Sequence, residues 1–261
     1  MKVNETEVKN DQLIAKRLIK QTFTNWVDPE LEKRKSTGRL PEEFKLRAAQ
    51  VIFSMGGPNI VRLNKEVKAI VEAKLNKPIK KGEKVLDKDV SDIRSFRLID
   101  EEKDFGHITI VRLTKGWFVG FNFIYDVSKS KELYDIAIEF MKSAHSSLKN
   151  KQYRPFVESA YIAVENLAKA RIYLLPDEDI RKTKKHGTVH GKVNIYSRTN
   201  SVIKTVYKNV FNRLTVLRDK ARYEPSFKLS HSEADKLFKA LKALSKELFV
   251  YYIRFGETAE I

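Results

Sequence analysis

The first helix-like stretch of the chain lies between Asp11 and Trp26. Its apolar residues recur at steps of three and four positions, which is the spacing of side chains along one face of an α-helix. These residues are Ala15, Leu18, Ile19, Phe23 and Trp26. The pattern predicts an amphipathic helix that packs its apolar stripe against other elements.

Two further helices are predicted beyond a charged stretch that runs from Asp28 to Arg39. Pro41 suits the first turn of a helix, because its missing N–H has no partner there, and this helix is expected to end at Gly56. Apolar residues at three- and four-residue spacing predict another helix from Ile60 to about Leu75, which Pro78 stops.

The period changes to two between Ile93 and Tyr125, which predicts β-strands. Thr114–Gly116 is a short glycine-containing connection between two of them, so a small antiparallel meander is expected. One face of the last strand is rich in aromatic residues. We expect the predicted helices to cover this face as core, and the alternative is stacking of RNA bases on Trp117 or Phe121.

Beyond Asp126 the pattern is helical through four long stretches. Their apolar stripes run from Leu133 to Ala144, from Phe156 to Ala170, from Val202 to Leu217 and from Leu237 to Tyr252. Four helices with matched stripes predict a helical bundle. The expected fold class is therefore α+β and mainly α, with a mixed helical and β-meander domain over residues 1–126 and a four-helix bundle over residues 127–261.

Two segments of this bundle carry a family resemblance. The second bundle helix contains Phe156–Ala170, and the third ends in the run Leu217–Tyr223, Leu-Arg-Asp-Lys-Ala-Arg-Tyr. Together they resemble the HEPN superfamily of helical bundles over roughly the last half of the chain. Ribonuclease members of that superfamily carry arginine, a polar residue, three variable residues and histidine at the end of the third main helix. Arg218 and Asp219 match the first two positions, and Tyr223 stands where the family has histidine.

The resemblance implies a bundle that acts on RNA. HEPN ribonucleases cut RNA without a metal: the histidine helps to activate a ribose 2′-hydroxyl and the arginine steadies the phosphate, often across a dimer interface. Arg218, Asp219 and Tyr223 are accordingly the candidate catalytic residues. A phenol, with an ordinary pKa of about 10, is a poor proton acceptor at neutral pH compared with an imidazole at about 6.5.

We therefore expect a HEPN-like protein that binds RNA or a nucleotide without robust catalysis. One alternative is a metal-independent endoribonuclease of toxin or defence type, and another is a non-enzymatic protein-interaction module. The second bundle helix has a semi-polar face with Tyr161, Ile162 and Glu165, and we expect it to contact a second copy in a homodimer. HEPN proteins also commonly work beside nucleotidyltransferases, so the resemblance implies a protein of that type as a candidate partner.

The charge of the chain agrees with a polyanionic partner. It has 51 Lys and Arg against 34 Asp and Glu, a net charge of +17 at pH 7, and phosphate neutralisation by such residues releases counterions. Arg222 adds a second guanidinium one helical turn beyond Arg218. Residues 177–198 are expected to form a long basic loop that wraps a phosphate backbone, with an ordinary solvated charge run as the alternative. Its candidate nucleic-acid-binding residues are Arg181, Lys182, Lys184, Lys185, His186, His190, Lys192, Tyr196 and Arg198.

Missing residue types and motifs exclude several kinds of chemistry. The chain has no cysteine, which rules out disulfides, thiolate nucleophiles and sulfur-ligated zinc. His186 and His190 lack a third ligand nearby, and no glycine-rich phosphate loop is present, so neither a metal nor a cofactor is expected. No stretch approaches the ~18 apolar residues of a membrane helix, and the start of the chain is polar, so we expect no membrane contact and a cytoplasmic location.

Overall fold

The computed structural model of the protein describes residues 5–114, 116–182, 186–199 and 203–254. The chain separates into two compact units, Met1–Phe123 and Ile124–Ile261, and each is described by itself. In the described ranges, no helix combines the length and the apolar character needed to cross a bilayer.

Among the described residues, all strands lie in the N-terminal unit, which also contains two helices. The helices are α1 (Glu5–Thr22), α2 (Asp28–Ser36), α3 (Val127–Lys149), α4 (Tyr153–Tyr173), α5 (Glu178–Lys182), α6 (His186–Thr199), α7 (Thr205–Tyr223) and α8 (His231–Arg254). The strands are β1 (Ala48–Phe53), β2 (Ile60–Leu63), β3 (Ile70–Leu75), β4 (Val90–Arg97), β5 (Gly106–Leu113) and β6 (Gly116–Asn122). The arrangement confirms the expected α+β, mainly α fold class.

The strands of the N-terminal unit form two antiparallel sheets. One has four strands in the order β2-β1-β5-β6, and the other pairs β3 with β4. The predicted hairpin is present, since β5 and β6 pair in register from His107 opposite Asn122 to Leu113 opposite Gly116. The predicted meander is thus part of a larger sheet that also takes in β1 and β2.

A π-helical turn, Phe23–Val27, joins α1 to α2 and covers one face of the four-stranded sheet. Val27 is fully buried there. The ring of Phe23 meets Trp117 edge-on, with centroids 5.5 Å apart, and Trp26 meets Phe53 in the same way at 5.2 Å. Phe23 and Trp26, at the C-terminal end of the stripe predicted from Asp11 to Trp26, therefore pack on the sheet.

The opposite face of this sheet holds buried polar side chains. Gln50 donates from Nε2 to Oγ1 of Thr109 at 3.1 Å, and Nδ1 of His107 lies 3.0 Å from the same hydroxyl oxygen. Phe96 of β4 packs directly over Gly120, where any side chain would overlap the ring. Glycine is required at that position because the two sheets approach so closely.

Two predictions for residues 28–75 are wrong. The helix expected to end at Gly56 is replaced by β1, and Ile60–Leu75 contains β2 and β3; the charged stretch after Asp28, for which no element was predicted, is helix α2. Strand β1 is buried on both faces and therefore shows no alternation, so its apolar run does not distinguish a strand from a helix. Ile60, Val61, Ile70 and Val71 are β-branched, which favours strands.

The C-terminal unit is built from α3, α4, α7 and α8, which correspond to the four predicted bundle helices. Their apolar stripes form one continuous core, in which Phe156, Phe211, Leu214 and Leu241 are fully buried. Helix α7 begins at Thr205, and Val202, from which its stripe was predicted to start, lies outside the described residues.

The prediction of a long loop over residues 177–198 is also wrong. The described part of this segment forms two helices, α5 and α6. Ile180, Val189 and Val193 are buried in the bundle core, and burial of these side chains offsets the low helix propensity of Gly187 and Gly191 within or beside the same turns.

Candidate nucleic-acid interface

Arg218 and Arg222 lie one turn apart on α7 and converge on a single carboxylate, Glu158 of α4. Arg222 binds it through two hydrogen bonds, Nε to Oε1 at 2.5 Å and Nη2 to Oε2 at 2.7 Å. Nε of Arg218 approaches Oε2 from 3.4 Å. These bonds and the two positive charges lower the pKa of Glu158 in spite of its partial burial. Two cations thus share the carboxylate of Glu158.

Arg218 is also held by an aromatic ring. Its guanidinium lies 4.2 Å from the ring centroid of Tyr161 on α4, a cation–π contact. Tyr161 is itself buried, and this burial raises the pKa of its phenol. About a fifth of the Arg218 side chain, 20%, remains accessible. Apart from the Nε contact with Glu158, no described residue accepts a hydrogen bond from this guanidinium.

Arg154 of α4 fixes the end of α7, where these residues lie. Its guanidinium donates to the carbonyl oxygens of Ala221, of Glu224 at 2.7 Å and of Pro225 at 3.0 Å. The last carbonyls of a helix have no partner within the helix, so a guanidinium that binds them stabilises the terminus. Arg154 is not among the residues predicted from the sequence. In the sequence, Arg154 is only an arginine one residue after the start of α4. Its spacing from Arg218 is not distinctive.

The other two residues of the family pattern are exposed. Asp219 points to solvent beside Arg218, and Tyr223, in the place of the family histidine, is 77% exposed. Lys220 of the same turn is exposed as well. The end of α7 therefore presents a phenol and an ammonium group to solvent around the partly buried arginine pair.

Arg181, predicted to bind nucleic acid, lies instead in a closed set of internal contacts. It pairs with Asp126 and donates to the carbonyl oxygens of Tyr173 at 2.9 Å and Leu175 at 3.0 Å and to that of Asp177. Its guanidinium thus binds the C-terminal end of α4, as Arg154 does for α7. Arg181 is therefore not part of the proposed interface.

Lys192 and Tyr196 of α6 are likewise directed inward, toward the buried Asp177. Lys192 lies 2.9 Å from Oδ2 of Asp177 and 2.8 Å from Asp179, and Tyr196 donates its hydroxyl to Asp177. Burial together with the Asp177 bond raises the pKa of Tyr196 to about 12. Burial alone would raise the pKa of Asp177, but the hydrogen bonds from Tyr196, Lys192 and the N–H of Ile180 outweigh it and lower that pKa. This cluster anchors α5 and α6 to the bundle.

The remaining predicted residues of this segment are divided between surface and contact positions. Lys182 is exposed and pairs with Glu178, and Arg198 is exposed at the end of α6. The ring of His190 meets Phe211 edge-on at 5.3 Å. Lys184, Lys185 and the side chain of His186 lie outside the described residues. Within the described ranges, no three His, Asp or Glu side chains come together as a metal site.

The semi-polar face of α4, from which a homodimer was predicted, contacts helices of the same chain. Tyr161 is 5.7 Å from Phe211 of α7, and Glu165 is buried and pairs with Lys169 at 3.1 Å. These two side chains are therefore not available to a second copy. Pairing of the protein stays a prediction, and it has to use other surfaces.

Comparison with known proteins agrees with the bundle geometry. The family model named HEPN domain matches residues 130–249, which reach from α3 to α8. No curated protein matches the chain in sequence.

Proposed function

We propose that the protein binds single-stranded RNA at the α4–α7 surface. The match of residues 130–249 to the HEPN domain model supports a superfamily related to RNA, nucleotides and nucleases. The proposed surface consists of Arg218, Arg222, Lys220 and Tyr223 of α7. A nucleotide is a smaller ligand with the same phosphate chemistry, and RNA is favoured by the high positive charge of the chain.

One observation carries this proposal: two guanidinium groups share the single carboxylate of Glu158. A carboxylate and a phosphate present similar pairs of oxygens to an arginine fork, so the geometry that binds Glu158 also suits a phosphodiester. The Arg218 guanidinium is held in place by Tyr161, which reduces the conformational entropy lost on binding. Tyr223 beside it is exposed and offers a ring on which a base can stack.

The test is binding of fluorescently labelled single-stranded RNA, measured by anisotropy in EDTA at about 100 mM salt. We expect Arg218→Ala to weaken binding by about tenfold, which corresponds to one lost charge-assisted contact of about 1.4 kcal/mol. Arg213→Ala is the matched control, because Arg213 lies on the same helix and pairs with Glu233 as Arg222 pairs with Glu158. Equal affinity of the two variants for RNA would overturn the proposal.

Metal-independent cleavage of RNA is the second candidate function. It is supported by the exposed phenol of Tyr223 directly after Arg222, since a nuclease needs a proton-transfer group next to its phosphate-binding residues. The same incubation in EDTA, followed by electrophoresis of the RNA, distinguishes the two. Cleavage by the wild type that is lost in Tyr223→Phe supports the enzyme, and intact RNA in a saturated complex supports binding alone.

A further inference from the structure

The N-terminal unit contains a groove lined by unpaired cations. Two adjoining depressions of about 370 and 350 Å³ share Arg47, Asp87 and Arg112 in their walls. Lys45 lines the first depression and Lys65 the second. All four cations are exposed, and none of them forms an ion pair with another described residue. The groove thus combines four positive side chains with one carboxylate, that of Asp87.

Two of these cations face each other across neighbouring strands. Ala48 of β1 is opposite Val111 of β5, so Arg47 is opposite Arg112, and the N–H of Arg112 donates to the carbonyl oxygen of Arg47 at 2.7 Å. Like charges at directly opposed positions of a sheet repel each other. An anion bound between the two guanidinium groups would remove this repulsion.

The backbone of the groove is held by Asn64, which has a left-handed φ of 48°. Its Oδ1 accepts hydrogen bonds from the N–H groups of Arg47 at 2.7 Å and Ala48 at 3.1 Å, and its Nδ2 donates to the carbonyl oxygen of Lys45 at 2.9 Å. This backbone conformation is strained for any residue other than glycine, so it is adopted only where local hydrogen bonds stabilise it. The segment that carries two of the groove cations is therefore fixed in advance of binding.

An aromatic ring lies next to the facing arginines. Trp117 of β6 is opposite Arg112 in the sheet register, and the Arg112 guanidinium is 5.8 Å from its ring centroid. A positively charged groove that tracks phosphates beside an aromatic side chain is the usual arrangement of proteins that bind single-stranded nucleic acid. Binding of an acidic peptide would require the cations but not the aromatic ring of Trp117.

From these contacts we propose that this groove binds the sugar-phosphate backbone of a single-stranded RNA segment. The phosphates lie between Arg47 and Arg112, with Lys45 and Lys65 on either side. This inference rests on the proposed function, because it takes RNA as the ligand of the protein, and it assigns a second, separate contact to the N-terminal unit.

The experiment uses the fluorescence of Trp117 as a local reporter. Trp26 and Trp117 are the two tryptophans of the chain, so Trp26→Phe leaves Trp117 as the single one. RNA that enters the groove is expected to quench Trp117 in a saturable way, and the titration is compared with the anisotropy of labelled RNA. Binding seen by anisotropy with no change in Trp117 fluorescence would count against the groove.

Charge removal supplies the second arm of the test. In the Trp26→Phe background, Arg47→Gln with Arg112→Gln should weaken RNA binding at least about tenfold and lower the salt slope by up to about 1.4, since each phosphate contact contributes about 0.7 for single strands. Arg17→Gln with Arg97→Gln removes the same charge from exposed arginines outside the groove and should change affinity less than about twofold. Groove and control variants with the same affinity overturn the inference.

The two proposals fail in different ways. An Arg218→Ala variant that binds RNA more weakly but still quenches Trp117 on saturation supports both sites. Loss in Arg218→Ala without any effect of the groove pair keeps the proposed function and overturns the groove. Displacement of RNA from the groove by polyaspartate of equal charge, with equal affinity, would overturn the assignment to RNA.

Discussion

Glu158 decides how strongly the arginine pair can bind anything else. It occupies both Arg218 and Arg222, so an incoming phosphate has to compete with an internal carboxylate. Arg218 and its helix end were predictable, because the run that begins at Leu217 resembles the family pattern. Glu158 was not predictable as the partner of Arg218, because the two residues are 60 positions apart in the chain and only the fold brings them within hydrogen-bond reach.

Glu158→Gln is expected to tighten RNA binding by about threefold, or about 0.7 kcal/mol, the typical contribution of a partly exposed ion pair. The amide keeps the shape of the side chain and one acceptor oxygen but loses the charge that competes with phosphate. The measurement is RNA anisotropy, with Glu233→Gln as control, since Glu233 pairs with Arg213 on the same helix. Weaker binding by Glu158→Gln would show that the carboxylate orients the arginines rather than competing with RNA.

His107 makes the N-terminal unit sensitive to acid. The side chain is buried in β5, and burial lowers its pKa to about 4, against 6.5 for a free histidine. Thr109 accepts a hydrogen bond from Gln50, so its own hydroxyl proton is available to Nδ1, which fits a neutral imidazole. Between pH 6.5 and 4 the unfolded chain binds the proton and the folded chain does not, so stability falls as pH falls.

The expected loss of unfolding free energy is at most about 3.5 kcal/mol, since the pKa of His107 falls from 6.5 to about 4 and one unit of pKa corresponds to about 1.4 kcal/mol. Trp26 and Trp117 both lie in the N-terminal unit, so urea unfolding followed by tryptophan fluorescence reports on this unit. His107→Gln should show a shallower decline of stability from pH 6.5 to 4.5 than the wild type. Parallel declines in the two proteins would mean that the pKa of His107 is not lowered in the folded state.

Among the elements, the long helices were predictable and the buried strands and short helices were not. The predicted bundle stripes repeat over three or more helical turns, so their period is clear, whereas β1 has only six residues and is buried on both faces. Helix α6 was predicted as a loop because its apolar stripe is short, consisting of Val189 and Val193. Gly187, Gly191 and several basic residues in the same segment are typical of loops. Tertiary contacts, not local propensity, stabilise such an element.

Asp177 is the contact that secures α5 and α6. It accepts hydrogen bonds from Tyr196, from Lys192 and from the N–H of Ile180 at 3.2 Å, and it is buried. Asp177→Ala leaves the partly buried ammonium of Lys192 and hydroxyl of Tyr196 without this partner, so we expect a loss of about 1–3 kcal/mol in the free energy of unfolding. Urea unfolding followed by far-UV circular dichroism measures this loss.

Asp179→Ala is the matched control for that measurement. Asp179 also pairs with Lys192, but its side chain is 75% exposed, so its removal is expected to cost less than about 0.5 kcal/mol. Hydrogen exchange adds a local readout: amides of α6 should lose protection in Asp177→Ala and keep it in Asp179→Ala. Equal effects of the two variants would contradict the role assigned to Asp177.

At the scale of the whole molecule, the net charge of +17 indicated a polyanionic partner but not where that partner binds. Composition adds all charges together, and only the fold separates paired cations such as Arg181 and Lys192 from those of the groove, which have no ion pair with a described residue. The predicted homodimer also concerns the whole molecule. Sedimentation velocity at micromolar protein concentration tests this prediction, and a protein that sediments as a monomer would count against pairing.

The two proposed RNA contacts lie in different units of the chain, so their effects on salt dependence should add. Neutralising the groove arginines, or Arg218 with Arg222, is expected to lower the slope of log K against log salt by up to about 1.4 each, and both pairs together by up to about 2.8. The measurement is RNA affinity at several salt concentrations for the wild type, the two double variants and the quadruple variant. Additivity is expected because residues that share no partner contribute independently to the free energy of binding. A quadruple variant with the slope of one double variant would mean that a single RNA site, not two, accounts for the affinity of the protein.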